Sequence, residues 1–398
     1  MHYQSGKDTA NVQAAPQKRE LYVLSEAFDL AVAKTRINLP DLAAAPASWG
    51  FDVHGDYANR REGFHEIGNW TTSFFTGMGV LSYLRTGERN FISDVEALDE
   101  SYLRKLENHA VETMHDLGFL YTLYSVALFK VTGEARHRES GLRAAEALAN
   151  RFVPNGEYLR AWGRVNEHDT DYSGLAIIDS LMNLPLLYWA SNETGDKCLR
   201  DLAIRHTDTT LEYFLRDDDS VYHAFRFDPA TGNPLGGDNY CGRDVSSHWA
   251  RGTAWGMYGF SLGYQHTGDE RYLDAANALT AKYVSLLDEE KVPVWDFKLE
   301  DHERLIRDSS SSAVAICAIQ NMISQGVGTS EFSDCKDQML EALCSDAYLD
   351  RSAQCRGLLK QGQVGAGLGK AMNAYTSWGD YFFMQALASE LGLKVDWW

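Results

Sequence analysis

The sequence predicts a single all-α domain whose helical hairpins, about six of them, close into a ring as an (α/α) toroid. Three observations predict it. Apolar residues recur at three and four along most of the chain, one turn punctuation recurs between the helical stretches, and no succession of alternating strand patterns competes with them. The periodicity is clearest in RYLDAANALTAKYVSLL, residues 271–287, where Tyr272, Leu273, Ala276, Leu279, Tyr283, Leu286 and Leu287 fall on one stripe. The punctuation is RTGERNF from residue 85, VTGEARH from 131, ETGDKCL from 193 and HTGDERY from 266. Glycine there supplies a left-handed helix cap, and the acid after it suits the first turn of the next helix. The intervals are too long for a TPR-like unit and suit helix pairs joined by elaborated loops. Further hairpins continue through SSSSAVAICAIQNMISQG and GDYFFMQALASELGL, while SVYHAFRFDPATGNP, residues 220–234, reads as a short strand or hairpin arm ending in a turn. No Pro/Gly/Ser-rich linker divides the chain, so residues 21–398 form one domain behind a polar N-terminal extension, residues 1–20. An open α-solenoid is the structural alternative, because periodicity does not establish ring closure.

Bulk properties narrow the function. The 398 residues are 44% hydrophobic and 23% charged, as in a globular protein, and the formal charge of -19 repels phosphate backbones and anionic membranes. No Lys/Arg cluster offsets that charge, which argues against nucleic acid as a partner. The apolar runs break well short of a membrane span and the first twenty residues hold no apolar signal core, so the expectation is a soluble cytoplasmic chain, or a periplasmic one had a leader been removed. Six cysteines without CxxC pairs or a secreted-framework spacing read as free thiols. No GxSxG elbow, Walker A loop, HExxH or placed GxGxxG is present, and the histidines do not fall at zinc-ligand spacings; neither metal nor cofactor is expected.

Carbohydrate chemistry fits what remains. Aromatic residues beside polar or glycine neighbours dominate the segments between helices: Trp70, Trp162, Trp249, Trp255, Trp295 and Trp378. Such rings stack on the C–H faces of sugars, although each taken singly also suits a core. Arg251 and Trp255 stand at i and i+4, so on a helix they share a face and offer a carboxylate clamp beside a stacking platform; alternatively Arg251 bridges to a neighbouring acid. Asp116 directly precedes a long apolar helix, where a cap is its structural role. Asp179 follows two isoleucines in AIIDSLMNLPLLYWA, residues 176–190, and a carboxylate placed there needs a reason. Two carboxylates facing one funnel are the equipment of a glycosidase.

The stretches NWTTSFFTG, HDLGFLYTLYS, IIDSLMNLPLLYWA, YHAFRFDPATG, SHWARGTAWGMYGF, VPVWDF, RDSSSSAVA and SWGDYFFMQAL, running from about residue 69 to 387, together resemble the unsaturated glucuronyl hydrolases, glycoside hydrolase family 88. The resemblance implies an (α/α)6 barrel acting on the 4,5-unsaturated uronic acid that polysaccharide lyases leave at the non-reducing end of anionic oligosaccharides. It implies Asp179 and Asp116 as the catalytic pair, Trp70, Trp255 and Tyr375 around the sugar, polar contacts from His223, Arg251 and Ser377, and Asn69 and Trp378 in the same pocket. One position departs: where the family tends to have glutamine before glycine, this chain has Cys241, a weak donor and acceptor. Arg243 beside it would suit a more anionic aglycone.

The chemistry also follows from the residues. An unsaturated uronide is an enol ether; protonation at C4 makes C5 oxocarbenium-like, water adds there, and the hemiketal opens. This needs a carboxylic acid protonated near neutral pH, which apolar surroundings and a second carboxylate would give Asp179. The alternatives are an unsaturated galacturonyl (rhamnogalacturonyl) hydrolase and a non-catalytic saccharide-binding toroid.

Overall fold

Helices account for most of the chain in the structure, a computed structural model that describes residues 9–46, 49–57, 70–369 and 371–398. In chain order they are α1 (Thr9–Ala44), α2 (Thr72–Thr86), α3 (Asn90–Glu96), α4 (Asp99–His109), α5 (Leu117–Tyr121), α6 (Ala127–Thr132), α7 (Ala135–Ala149), α8 (Pro185–Thr194), α9 (Lys197–Tyr213), α10 (Ala250–Thr267), α11 (Glu270–Ser285), α12 (Ser309–Ser324), α13 (Ser330–Cys344) and α14 (Ser377–Glu390). A π turn, Thr122–Val126, joins α5 to α6, and a 3-10 turn, Ile178–Asn183, leads into α8.

The expected punctuation is where the hairpins turn. Gly87, Gly133, Gly195 and Gly268 each end a helix with φ between 72° and 77°, donating N–H to the carbonyls of Tyr83, Phe129, Ser191 and Tyr264. The acids that follow divide by length. Asp196 and Asp269 cap the next helix through their side chains. Glu88 and Glu134 make no cap and instead pair with Arg36 and Arg136.

The ring closes. α2 packs on α5, α5 on α8 and on the 3-10 turn, that turn on α10, α10 on α12, α12 on α14, and α14 back on α2. Outside them, α1 and α3 lie on α2, α7 on α5 and α8, α9 on α8, α11 on α10 and α13 on α12. This is the (α/α)6 barrel, and the open solenoid is excluded. Inner helices such as α10 and α14 are buried around their whole circumference, whereas α11 buries one face, the stripe of Tyr272, Leu273, Ala276, Leu279 and Tyr283 together with Ala275 and Thr280. Leu286 and Leu287 lie past the end of α11 and are half-buried. The boundary drawn at residue 20 falls inside α1, because the helix begins at Thr9 and runs on without a break.

Short strands sit in the loops at one mouth: β1 (Phe51–Asp52), β2 (Phe152–Val153), β3 (Tyr158–Leu159), β4 (Leu175–Ile177), β5 (Ala224–Phe227), β6 (Pro234–Asp238) and β7 (Tyr375–Thr376). β1 pairs with β7, β2 with β3, and β4, β5 and β6 form an antiparallel sheet. The arm expected at 220–234 is thus the first half of the β5–β6 hairpin.

Candidate active site

Every inner helix starts at the same mouth, and the singled-out residues collect at those starts. Trp70 precedes α2, Asp116 precedes α5, the turn carrying Asp179 precedes α8, Arg251 is the second residue of α10, Asp308 caps α12, and Ser377 and Trp378 open α14. The helix ends bring partial positive charge to the mouth of a strongly acidic protein.

Asp116 and Asp179 belong to segments that are stitched together. Phe119 N–H donates to Asn183 Oδ1 at 2.7 Å, and the Ser180 hydroxyl lies 2.8 Å from His115 Nδ1. A Cβ on Gly118 would stand 2.2 Å from Asn183 Cα, so only glycine lets the two backbones approach this closely. The side chain of Asp116 makes no capping bond, so its position at the foot of α5 does not serve the helix in the usual way. Its Oδ1 lies 3.4 Å from His115 Nε2.

The two carboxyls are coupled. Burial and then the charge of Asp179 push Asp116 well above the usual carboxylate range, while Arg151 and Lys105 pull it down. Burial pushes Asp179 up to about 6 against the pull of Arg251. Two such neighbours titrate as a pair that holds one proton through the neutral range.

His223 reaches Asp179 through the sheet. Ile177 pairs with Ala224, and Ile178 N–H donates to the His223 carbonyl at 2.9 Å, which sets the imidazole beside the 3-10 turn. Its Nδ1 accepts from the backbone N–H groups of Tyr240 and Cys241, both at 3.0 Å. The ring hydrogen is therefore on Nε2, 3.8 Å from Asp179 Oδ2. Burial and then Arg251 hold this imidazole down to about 3, so it is neutral. Cys241 contributes its backbone N–H, and burial pushes its thiol up to about 12. Beyond His223 lie Tyr240, with ring centroids 5.9 Å apart, and then Trp162, 4.7 Å from Tyr240.

The aromatic residues form a continuous floor. Trp70 stacks on Trp378 at 4.6 Å and 29°, and Trp70 meets Phe119, which meets Trp255 at 5.4 Å. Among the described residues, Nε1 of Trp255, Nε1 of Trp378 and Oδ2 of Asp179 are all buried without a hydrogen-bond partner. Buried polar atoms are nearly always satisfied, so these three call for a polar group that the described residues do not supply.

Arg251 takes the bridging role, the second of the two open to it in the sequence. Its guanidinium donates to Asp308 Oδ2 at 2.7 Å and to the carbonyls of Gln363 and Val364 at 2.5 and 3.0 Å, sandwiched between Trp249 and Trp378. Instead of standing free as a clamp it is the cation of a buried ion pair, and its charge reaches Asp179 and His223 through space. The acid that claims it is the N-cap of the serine run. Trp255, on the same helix, packs into the core against Phe119 and Phe382 rather than forming a platform with Arg251.

Other positions scatter. Ser377 is fully buried, its hydroxyl 3.4 Å from the Thr71 carbonyl beside Trp70. Tyr375 donates to Asp350 at 2.6 Å and packs on Gly55 and Gly357, away from the contacts that unite the carboxylates. Asn69 lies outside the described residues. Sequence reasoning passed over His115, Gly118, Ser180, Asn183 and Asp308. The signal it had was adjacency, since His115 and Ser180 each stand next to one of the paired aspartates.

A model of Glycosyl Hydrolase Family 88 matches residues 52–391. The chain belongs to that family. This family 88 enzyme is 33% identical over 379 residues to the unsaturated chondroitin disaccharide hydrolase of Streptococcus pyogenes serotype M1, covering 94% of this chain and 92% of that one. It is also 33% identical over 335 residues to the unsaturated glucuronyl hydrolase of Bacillus sp. strain GL1, covering 83% and 88%. The crystal structure of that Bacillus protein superposes with a TM-score of 0.87 at 31% identity, over 94% of this chain and 99% of the other. A mutant of the unsaturated glucuronyl hydrolase from Streptococcus agalactiae, complexed with dGlcA-GalNAc6S, superposes with a TM-score of 0.78 at 28% identity over 94% and 93%.

Proposed function

We propose that this family 88 hydrolase removes the 4,5-unsaturated glucuronic acid from the non-reducing end of lyase-generated oligosaccharides by hydrating the C4=C5 bond. The observation that carries the reading is the buried Asp116–Asp179 pair, with Asp179 Oδ2 lacking a hydrogen-bond partner among the described residues. Asp179 gives its proton to C4, and charge develops at C5 and the ring oxygen. Water adds at C5 and returns a proton to Asp179, and the resulting hemiketal opens to release the aglycone. The anomeric carbon is not attacked. The anionic role falls to Asp116 in this reading, because Arg151 and Lys105 both pull its carboxyl down; the anion orients the sugar hydroxyls and leaves the shared proton to Asp179.

Around that step Trp70 forms the apolar wall, backed by the buried Trp378 and, through Phe119, by the buried Trp255. His223 offers Nε2–H to the uronic acid, Ser377 supports the Trp70 wall, and Arg251 supplies a fixed positive charge behind the substrate carboxylate. Cys241 places a smaller thiol where an amide is usual, and Asn69 and Tyr375 are assigned to the sugar by the family resemblance alone. The relatives named for chondroitin disaccharides favour a glycosaminoglycan aglycone over an ulvan, gellan or xanthan one.

The test is a panel of lyase-generated disaccharides, followed by loss of the ultraviolet absorbance of the C4=C5 bond in water enriched in heavy oxygen. The expected result is absorbance loss, with label at C5. Cleavage of saturated glycosides alone, or label on the anomeric carbon, would overturn the reading. Binding of the disaccharides without turnover would support the saccharide-binding alternative.

A further inference from the structure

Asp116 and Asp179 share one buried environment, and something must decide which of them holds the proton. The groups facing them come from six elements: Lys105 on α4, His115 before α5, Arg151 before β2, His206 on α9, His223 before β5 and Arg251 on α10. Arg251 is neutralised by Asp308. Arg151 is 1% exposed and donates to the carbonyls of Thr113, Arg160 and Gly163, so it carries an uncompensated charge whose carboxylate neighbour is Asp116.

His115 is completely buried, and its two ring nitrogens face different groups. Nδ1 lies 2.8 Å from the Ser180 hydroxyl, and Nε2 lies 3.4 Å from Asp116 Oδ1. Ser180 is also fully buried. If its hydroxyl accepted from Nδ1–H, the hydroxyl hydrogen would need an acceptor of its own, and the bare Nε2 lone pair would face a carboxylate oxygen. If the hydroxyl donates to Nδ1, both problems vanish and Nε2 carries the ring hydrogen 3.4 Å from Asp116 Oδ1, close to that carboxyl but not yet hydrogen-bonded to it. Burial, then Arg151, holds this imidazole well below its ordinary range, so it remains a neutral donor. Ser180 is the residue after Asp179, and His115 is the residue before Asp116. Each segment therefore carries one carboxylate and one half of the device that orients the other.

We propose that His115, oriented by Ser180, is a positioning residue that presents Nε2–H to Asp116 and so leaves the single proton of the pair on Asp179. Catalytic hydrogen bonds often shorten only in the substrate complex, so a donor 3.4 Å from Oδ1 is within reach of this role. This rests on the hydration reading above, and the experiment separates the two. Wild type inactive on every lyase product would remove the hydration reading and leave the role of His115 without a reaction.

With wild-type activity in hand, pH profiles of kcat and KM are measured for Ser180→Ala, His115→Phe and His115→Gln. Ser180→Ala removes only a hydroxyl, and His115→Gln places an amide donor near the position of Nε2. In Ser180→Ala and His115→Phe the anionic Asp116 loses its donor. The acidic limb of the kcat profile should therefore move up by about one pH unit and kcat at neutral pH fall about tenfold, with KM little changed. His115→Gln should restore the limb. A merely structural His115 would lower activity equally at all pH values without moving the limb. Profiles of Ser180→Ala and His115→Phe that superpose on wild type after scaling, or a His115→Gln profile identical to that of His115→Phe, would overturn the proposal.

Discussion

In the proposed mechanism single atoms at Asp179 decide the reaction. Its carboxyl is 15% exposed, raised to about 6, and has one oxygen without a hydrogen-bond partner among the described residues. Asp179→Asn keeps the shape and removes the transferable proton, so turnover should fall ~10²–10⁴-fold in a steady-state assay. Because burial penalises the anion, the same variant should melt no lower than wild type; a large drop in melting temperature would mean that the carboxylate is structural. Gly118 is the second decisive position. An added Cβ would meet Asn183 backbone at 2.2 Å, and backbone cannot swing aside. Gly118→Ala should force the two carboxylate segments apart and cost about 10²-fold in kcat, the effect expected of ångström-scale misplacement in an active site. Wild-type kinetics in that variant would show that the paired geometry is not required.

Between elements, the Arg251–Asp308 pair ties the start of α10 to the cap of α12 and to the segment around Gln363. Breaking one side strands a buried charge. Arg251→Ala and Asp308→Ala should each cost about 3–5 kcal/mol in urea unfolding, and the double variant should cost clearly less than the sum. Additive losses would show the two residues acting separately. This pair also marks how far the sequence could be read. The four Gly caps of the hairpin turns, the stripe of α11, the β5 arm and both paired aspartates were legible because each depends on a local pattern or a neighbouring residue. Ring closure and the partner of Arg251 were not, since Asp308 lies 57 residues away in sequence and only the closed barrel sets it opposite. The burial of Trp255 was illegible for a related reason: an inner helix is covered on every side, so spacing on one face says little about which face meets the pocket.

At the scale of the whole molecule, the barrel buries neutral histidines. His206, His223 and His248 are held down to about 3, His266 to about 4, and His115 well below its ordinary range, each chiefly by burial. The unfolded chain protonates them near pH 6.5 while the folded one does not, so unfolding takes up protons and stability falls as pH drops from about 6.5 towards 4. Each contributes up to about 1.4 kcal/mol per pH unit in that window. Asp179 and Asp380, raised to about 6, act in the opposite sense between about 6 and 4, and the raised Asp116 acts in that sense too, but these groups are fewer. Melting temperature should therefore decline below pH 6.5, and a rise there would contradict the histidine assignment. Among the described residues the barrel is also filled beneath the site. Trp398 stacks on Phe382 at 5.8 Å and reaches Phe119 and Tyr258, while Trp397 donates to the Tyr381 hydroxyl at 2.9 Å, so α5, α10 and α14 share one aromatic plug. A funnel with a blind end has no second exit through which a polymer could thread. A chain can enter only by its tip and must back out by the same route, so cleavage is exo-acting and one terminal sugar is removed per visit.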